Sequence, residues 1–169
     1  MKKVGIITFH ASHNYGSMLQ AYALQQVVLS MGYDCAIINF RNIAQKEMYK
    51  PIFMRGTLYG KCVRFIIQAP YALGILKKYR LFEKFLKEDL ILSSKEYNTL
   101  KDLENAEFKY DYYISGSDQI WNVESWDFSY AYFLTFVKSG KRIAYAPSMG
   151  PGLSMNKCRD IRSCFDFIR

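Results

Sequence analysis

The chain is poor in the residues that interrupt or loosen a fold. Only four of its 169 residues are proline, ten are glycine, and 22% are charged. These proportions exclude a low-complexity linker, a collagen-like fibre and an intrinsically disordered chain. Half of the residues are hydrophobic and 17% are aromatic, so one domain of this length can bury close to ~70% of its unfolded surface.

Metal-binding patterns are also missing. The sequence has no Cys-x-x-Cys pair, and its two histidines lie far from every cysteine. A zinc site needs three or four such side chains at short spacings. We therefore predict no metal, no cofactor, and four free thiols in a reducing cytoplasm. The cysteines are Cys35, Cys62, Cys158 and Cys164.

No hydrophobic run is long enough to cross a membrane. The apolar run behind the first lysines covers only Val4–Phe9, which is too short for a signal peptide. The most apolar later stretch, Cys62 to Leu76, is interrupted by Arg64 and Pro70, whereas a spanning helix needs about 20 residues. We expect a cytoplasmic protein that is soluble or peripheral at the inner face of the membrane.

The net charge of +8 is concentrated in one segment. Residues 41–87 hold eleven Lys or Arg and two Glu, a balance of +9, and the rest of the chain has a balance of −1. A nucleic-acid-binding protein more often builds a basic face from several elements, so no nucleic acid partner is expected. Two interpretations stay open for this basic, aromatic, helical insert: weak contact with an anionic membrane surface, or a scaffold whose lysines only keep it soluble.

Short apolar segments alternate with segments of helical periodicity, which is typical of a doubly wound, mostly parallel, Rossmann-like α/β sheet. The first strand, helix and strand form a βαβ unit of about 37 residues with a right-handed crossover. Residues 1–169 are expected to form a single domain of this kind. The predicted strands are Lys3–Phe9, Cys35–Phe40, Tyr110–Ser115 and Arg142–Ala146, with a further strand beginning at Phe165. The predicted helices are 17–30, Tyr71–Glu88, Thr99–Leu103 (capped by Asn98), Ser129–Phe136 and Asn156–Cys164, with a loop at Ser93–Ser94.

Ligands of such sheets bind outside the carboxyl ends of the strands, and the first loop there is polar. Backbone N–H groups at the start of the following helix could hold a carboxylate, a phosphate or a sugar hydroxyl. The alternative is a simple helix cap by Asn14 or Ser17 with solvated histidines. The loop is not a Gly-x-Gly-x-x-Gly fingerprint, so no dinucleotide is predicted. Its candidate ligand-binding residues are His10, His13, Asn14, Tyr15, Gly16 and Ser17.

The second loop has the mixture of groups that a sugar needs. Carboxylate and amide groups pair with vicinal hydroxyls, and an indole face covers the apolar side of the ring. Asp118 could also act as a general base. The alternatives are that Asp118 caps the next helix and that Trp121 belongs to the core. The candidates in this loop are Ser115, Gly116, Ser117, Asp118, Gln119, Trp121 and Asn122.

The third loop, 147–152, offers little chemistry. Its only candidate is Ser148, and a tight turn is the simpler interpretation. Tyr145, on the preceding strand, is expected in the core because of its place in the alternation along that strand.

Taken together, three segments resemble, in order, the N-terminal half of the polysaccharide pyruvyl transferase family. They are KVGIITFHASHNYGSMLQAYALQ, FKYDYYISGSDQIWN and KRIAYAPSMG. The similarity covers nearly the whole chain, more loosely through 41–95, and the joint occurrence of NYGSMLQAYAL and SGSDQIWN is quite specific. Pro147 and Met149 depart from the Ala or Ser and the Phe of the family pattern.

The resemblance implies a two-lobed fold like that of the GT-B glycosyltransferases, with the active site between the lobes. It implies transfer of a pyruvyl group from phosphoenolpyruvate to two sugar hydroxyls, which forms a ketal in bacterial cell-envelope polysaccharides. The acceptor would be a glycan or a lipid-linked sugar. The resemblance places the donor-binding residues largely in a second lobe that residues 1–169 are not expected to include, so these residues alone are expected to be inactive.

The resemblance also assigns a first-lobe cleft wall. It consists of Asn14, Tyr15, Gly16, Ser117, Asp118, Gln119 and Trp121. Among these, Asp118 fits the base that takes the proton of the attacking hydroxyl. Outside this set, His13 is a weaker catalytic candidate. Two alternatives remain open: a nucleotide-sugar glycosyltransferase-like domain, and a truncated remnant that binds glycan without catalysis.

Overall fold

Five parallel strands form the centre of the computed structural model, which describes residues 1–51, 67 and 69–150. The strands are β1 (Lys3–Ile7), β2 (Asp34–Phe40), β3 (Leu92–Tyr97), β4 (Tyr112–Asp118) and β5 (Lys141–Pro147). Their order across the sheet is β3-β2-β1-β4-β5, and every neighbouring pair is parallel. This is the strand order of a Rossmann-like fold, which confirms the predicted fold class.

Four described helices flank the sheet, namely α1 (Tyr15–Ser30), α2 (Ile43–Met48), α3 (Ala72–Glu88) and α4 (Leu100–Glu104). α1 is capped by Asn14, whose Oδ1 accepts from the backbone N–H of Gly16 at 2.8 Å and of Ser17 at 3.4 Å. It ends before Gly32, which has a left-handed φ of 83° and ends the helix as glycine commonly does. Of the two predicted caps, Asn14 is therefore the one used.

The central strands are buried on both faces. Val4 and Ile6 point to one face, where α1 and α3 contribute Met18 and Phe82. Ile7 and Phe9 point to the opposite face, which residues 120–137 and α4 cover. Burial on both sides explains why β1 and β2 are nearly continuous apolar runs rather than alternating ones.

The loop predicted at Ser93–Ser94 is wrong, because β3 runs through it and the sheet has five strands rather than four. β3 is an edge strand with three exposed residues, so its sequence carries no apolar alternation. Its pairing with β2 is irregular, and the Ser93 hydroxyl accepts the backbone N–H of Asn39 at 3.0 Å. At this point a side-chain hydroxyl of β3 takes the place of a backbone carbonyl in the pairing of the two strands. The sequence does not indicate this substitution.

Three further predictions are corrected in detail. The short helix α4 is capped by Thr99 rather than Asn98, with a capping box formed by Asp102. The segment predicted as helix Ser129–Phe136 is a short 3-10 turn at Tyr130–Phe133, which ends at Leu134 with a left-handed φ of 59°. β4 begins and ends later than predicted and includes Ser117 and Asp118.

Tyr145 is not a core residue but is 55% exposed. It lies on β5, which among the described strands pairs only with β4 and forms the sheet edge. Alternation along a strand predicts burial only where another layer covers that face. The predicted helix Asn156–Cys164, the strand beginning at Phe165 and three of the cysteines lie outside the described residues; Cys35 is a buried free thiol, as predicted.

Candidate active site at the carboxyl end of the sheet

The candidate site lies where the chain reverses its winding direction. From β1 the chain crosses one face of the sheet through α1, whereas from β4 it crosses the opposite face through residues 119–137. The two crossovers leave a crevice outside the carboxyl ends of β1 and β4, where open α/β sheets bind ligands. The register sets Ile7 opposite Ser115, so the residues that follow both strands come together there.

Ser17 and Asp118 make the most direct contact across this crevice. The Ser17 hydroxyl donates to Oδ2 of Asp118 at 2.6 Å, and the backbone N–H of Gln119 donates to Oδ1 at 2.7 Å. Asp118 has a left-handed φ of 84°, a region that non-glycine residues occupy at a cost and often at functional sites. Residue 118 ends a strand and no helix begins directly after it in the described segment, so the helix-cap alternative does not describe its role.

A closed ring of hydrogen bonds supports the same crevice, and its central residue, Gln20, was not predicted. Gln20 Nε2 donates to the Thr8 hydroxyl at 2.8 Å, and Gln20 Oε1 accepts from the Ser117 hydroxyl at 2.8 Å. The Thr8 hydroxyl in turn donates to the Ser117 carbonyl oxygen at 3.1 Å. The available signal was its position three residues after Ser17, on the same side of α1.

The third predicted loop joins the other two. The backbone N–H of Ser148 donates to the Asp118 carbonyl oxygen at 2.9 Å, while the Ser148 side chain is exposed. A Cβ added to Gly150 would lie 2.8 Å from Nδ2 of Asn122 and 3.1 Å from Oε1 of Gln119. The predicted loops therefore meet at one edge, and Gly150 lets the last of them lie against the amide side chains.

Trp121 and Ser115 belong to the interior. The indole of Trp121 is 8% exposed, stacks on Phe133 at 4.8 Å between ring centroids and donates to the Tyr132 carbonyl oxygen at 3.0 Å. The Ser115 hydroxyl donates to the same carbonyl oxygen. The core interpretation of Trp121 is the one that agrees with this placement, since neither face of a buried, stacked ring is open to a sugar.

The two histidines are not solvated. His10 is fully buried, with Nδ1 3.2 Å from the Thr8 carbonyl oxygen and Nε2 3.1 Å from Oδ1 of Asn39. Burial lowers the pKa of His10, which favours a neutral ring. The imidazole thus fixes the end of β1 from inside the fold.

His13 links the first loop to α3. Its Nε2 lies 2.8 Å from Oε1 of Glu83, and its ring stacks on Phe82 at 5.3 Å. Arg41 donates to Glu83 Oε1 from Nη2 at 2.8 Å. The hydrogen bond from His13 lowers the pKa of Glu83 most, with Arg41 adding to it, from an ordinary value of 4.5 to about 2.

The open rim of the crevice is formed by exposed residues of α1. Asn14 and Gly16 are exposed, and Tyr15 is 67% exposed. Lys78 of α3 places its Nζ 5.9 Å from the centre of the Tyr15 ring, a cation–π distance. No Lys or Arg lies within the stretches 10–17, 115–122 and 147–150, so the cation of Lys78 reaches this rim from α3 rather than from the loops themselves.

The described residues hold neither a metal-binding cluster nor a membrane-spanning helix. Residues 1–51, 67 and 69–150 contain no group of three or more His, Cys, Asp or Glu side chains that could hold a metal ion. Within the same ranges, every helix is too short or too polar to cross a membrane.

The fold is that of an α/β domain with a polar crevice at the switch point of its parallel sheet, the place where open α/β sheets bind ligands. The family model for polysaccharide pyruvyl transferases matches residues 14–168, and the chain belongs to that family of transferases. No curated protein and no solved structure shows a significant match to the chain.

The depressed pKa of Glu83 predicts how stability depends on pH. The unfolded state binds the proton at a higher pH than the folded state, so the stabilisation is present above pH 4.5 and is lost as the pH falls toward 2. We expect Glu83→Gln to lower the free energy of unfolding at pH 7 by about 2–3 kcal/mol. The difference from the wild type should shrink between pH 4.5 and 2, measured by urea denaturation at each pH.

Glu88→Gln is the matched control for this prediction. Glu88 lies on the same helix and pairs with Lys84 at 3.5 Å, but its side chain is 61% exposed. Exposed pairs of this kind contribute little, so this variant should leave the pH profile unchanged. If Glu83→Gln has the same dependence of unfolding free energy on pH as the wild type, the stabilising role assigned to Glu83 is contradicted.

Proposed function

We propose that the protein transfers a pyruvyl group from phosphoenolpyruvate to sugar hydroxyls, with a pyruvate ketal as the product. The crevice described above is the acceptor side of this reaction. The observation that carries the proposal is the Ser17–Asp118 pair at the carboxyl edge of the sheet, in a chain of this family. Exposed neighbours, including Asn14 and Gln119, leave the crevice open to a glycan.

The chemistry makes three demands on the site. An acid must protonate the methylene carbon of the enol phosphate, a base must take the proton of the attacking hydroxyl, and cations must hold the phosphate and carboxylate of the donor. Asp118 fits the second demand, because its carboxylate is held by Ser17 and Gln119 at an accessible edge. The first and third demands fall to groups outside the crevice loops, and we assign them to a second lobe packed as in GT-B enzymes.

The decisive experiment is a product analysis with the full-length protein. Phosphoenolpyruvate and a panel of methyl glycosides of common hexoses are supplied, and phosphate release is compared with the ketal methyl signal in NMR spectra. We expect phosphate and ketal in equal amounts. Transfer of sugar from a nucleotide sugar, without ketal formation, would contradict the proposal and favour a glycosyltransferase. Absence of turnover with any acceptor, together with glycan binding, would favour a non-catalytic role.

Asp118→Asn tests the assigned base. We expect turnover to fall by about 10²–10⁴-fold, the usual contribution of a positioned base, with little change in the unfolding temperature. The control is Asp111→Asn, since Asp111 precedes the same strand at its opposite end and accepts the backbone N–H of Lys3 at 2.7 Å. A large loss of stability with normal specific activity in Asp118→Asn would instead assign Asp118 a structural role.

We further propose that α3 holds the protein against an anionic lipid surface at the cytoplasmic face of the membrane. Five exposed residues of α3 follow each other at spacings of four and three, so they form one stripe along the helix, and four of them are basic. They are Leu73, Lys77, Arg80, Lys84 and Lys87. Leu73 is 85% exposed and Tyr71, just before the helix, 69%. A surface that combines apolar and cationic side chains suits an anionic lipid surface better than it suits the phosphate backbone of a nucleic acid.

Vesicle co-sedimentation tests this contact. Each basic residue near an anionic surface contributes on the order of 1 kcal/mol, and at 1 M salt screening shortens to ~3 Å. We therefore expect binding to vesicles with anionic lipid at low salt and none at high salt. Lys77→Gln with Arg80→Gln should weaken it, whereas Lys109→Gln with Lys138→Gln, two exposed lysines outside α3, should not. Equal effects of both pairs would contradict the proposal.

A further inference from the structure

We infer that Gln20 is a positioning residue for the acceptor site, which it serves by fixing the direction of the Ser117 hydroxyl. The inference rests on the proposed function for its kinetic consequence, but its structural basis stands on the hydrogen bonds of α1, β1 and β4. Gln20 touches both strands that border the crevice, through Thr8 after β1 and Ser117 at the end of β4.

The direction of every hydrogen in the ring is determined. The Ser117 carbonyl oxygen can only accept, so the Thr8 hydroxyl donates to it. Because the Thr8 hydrogen is used there, Thr8 can only accept from Gln20, which must present its amide nitrogen. Gln20 then presents its oxygen to Ser117, and both the hydroxyl and the backbone N–H of Ser117 donate to that oxygen, at 2.8 and 3.3 Å.

The hydroxyl of Ser17, next to this ring, also donates its hydrogen within the protein. Ser17 donates its hydrogen to the carboxylate of Asp118. The hydroxyl oxygens of Ser17 and Ser117 are therefore left with lone pairs only. A group that binds to them must supply the hydrogen, as an alcohol does and as a fully ionised phosphate or carboxylate cannot. The crevice is thus polarised for the hydroxyl-bearing acceptor rather than for the anionic donor.

The amide side chain of Gln20 meets the requirements at position 20. It must donate to Thr8 and accept from Ser117 at the same time, whereas an ionised Glu accepts only and Leu does neither. Thr8 is fully buried, so loss of its partner leaves a buried hydroxyl with one bond fewer. Removal of Gln20 is expected to release the hydroxyl of Ser117 and the adjacent end of β4, which carries Asp118.

The chain offers a matched control in Gln25. It lies on the same helix, is fully buried, and bridges by donating from Nε2 to the Ile91 carbonyl oxygen at 2.8 Å and accepting from the Ile91 N–H at 3.0 Å. Ile91 precedes β3 at the opposite end of the sheet from the crevice. Gln25→Leu should therefore destabilise the fold through the same type of loss without disturbing the acceptor site.

The experiment compares Gln20→Leu, Thr8→Val and Gln25→Leu in the full-length protein. We expect Gln20→Leu to lower kcat about 10–100-fold, the scale of a small misplacement of catalytic groups, while KM for phosphoenolpyruvate stays unchanged. Thr8→Val should lower kcat too, and the double variant should lose less than the product of the two effects, because both act through one ring. Gln25→Leu should lower the unfolding temperature and leave kcat within about 2-fold, as for a distant, independent site.

A second readout needs no substrate. In ¹⁵N NMR spectra, Gln20→Leu should shift the backbone amide signals of Ser117 and Asp118, and Gln25→Leu should not. If those signals stay in place in Gln20→Leu, or if Gln25→Leu lowers kcat equally, the inference is overturned. If the signals shift as expected but the protein forms no ketal with any acceptor, the proposed reaction fails while the positioning role of Gln20 stands.

Discussion

The pairing of β1 with β2 on one side and β4 on the other is the constraint on which the rest of the structure depends. The two crossovers that leave β1 and β4 lie on opposite faces, so the ends of these strands form a crevice that neither layer covers. The parallel register then sets which residues meet. With Ile7 opposite Ser115, the hydroxyl of Thr8 reaches the carbonyl oxygen of Ser117, although 109 positions separate them.

Neutral and charged groups are divided between two sides of the first loop. On the crevice side, hydroxyls and amides arrange themselves around a single carboxylate, Asp118. On the other side, His13 and Arg41 both contact the Glu83 carboxylate, and this network of hydrogen bonds fastens the loop to α3. Because Glu83 has both a histidine and an arginine as partners, its pKa falls to about 2, and the loop stays tied to α3 across the physiological pH range. The crevice thus gains a fixed wall, to which the described stretches 10–17, 115–122 and 147–150 contribute no Lys or Arg.

α3 connects these features to the surroundings of the protein. Its inner side supplies Phe82 and Leu86 to the core and Glu83 to the first loop, while Lys78 approaches the rim at Tyr15. Its outer stripe is cationic. One helix therefore supports the crevice and also presents part of the charge that the sequence concentrates in residues 41–87.

The sequence by itself determined the elements with strong local signals. Buried parallel strands need unbroken apolar runs, so β1 and β2 were predictable. The two ends of α1 were predictable as well, because Asn14 caps its start and Gly32 follows its end. Family membership was also predictable from the motifs around Asn14 and Asp118. Edge strand β3 was not, because exposed residues carry no periodic apolar signal and Ser93 completes its pairing by a side chain. Only the tertiary structure decided that Trp121 faces the core, that His10 is buried, and that Gln20 of α1 joins Thr8 and Ser117 in linking the two strand ends. Those outcomes depend on which side chains meet across a sheet whose strands lie far apart in sequence, and that information is absent from any local pattern.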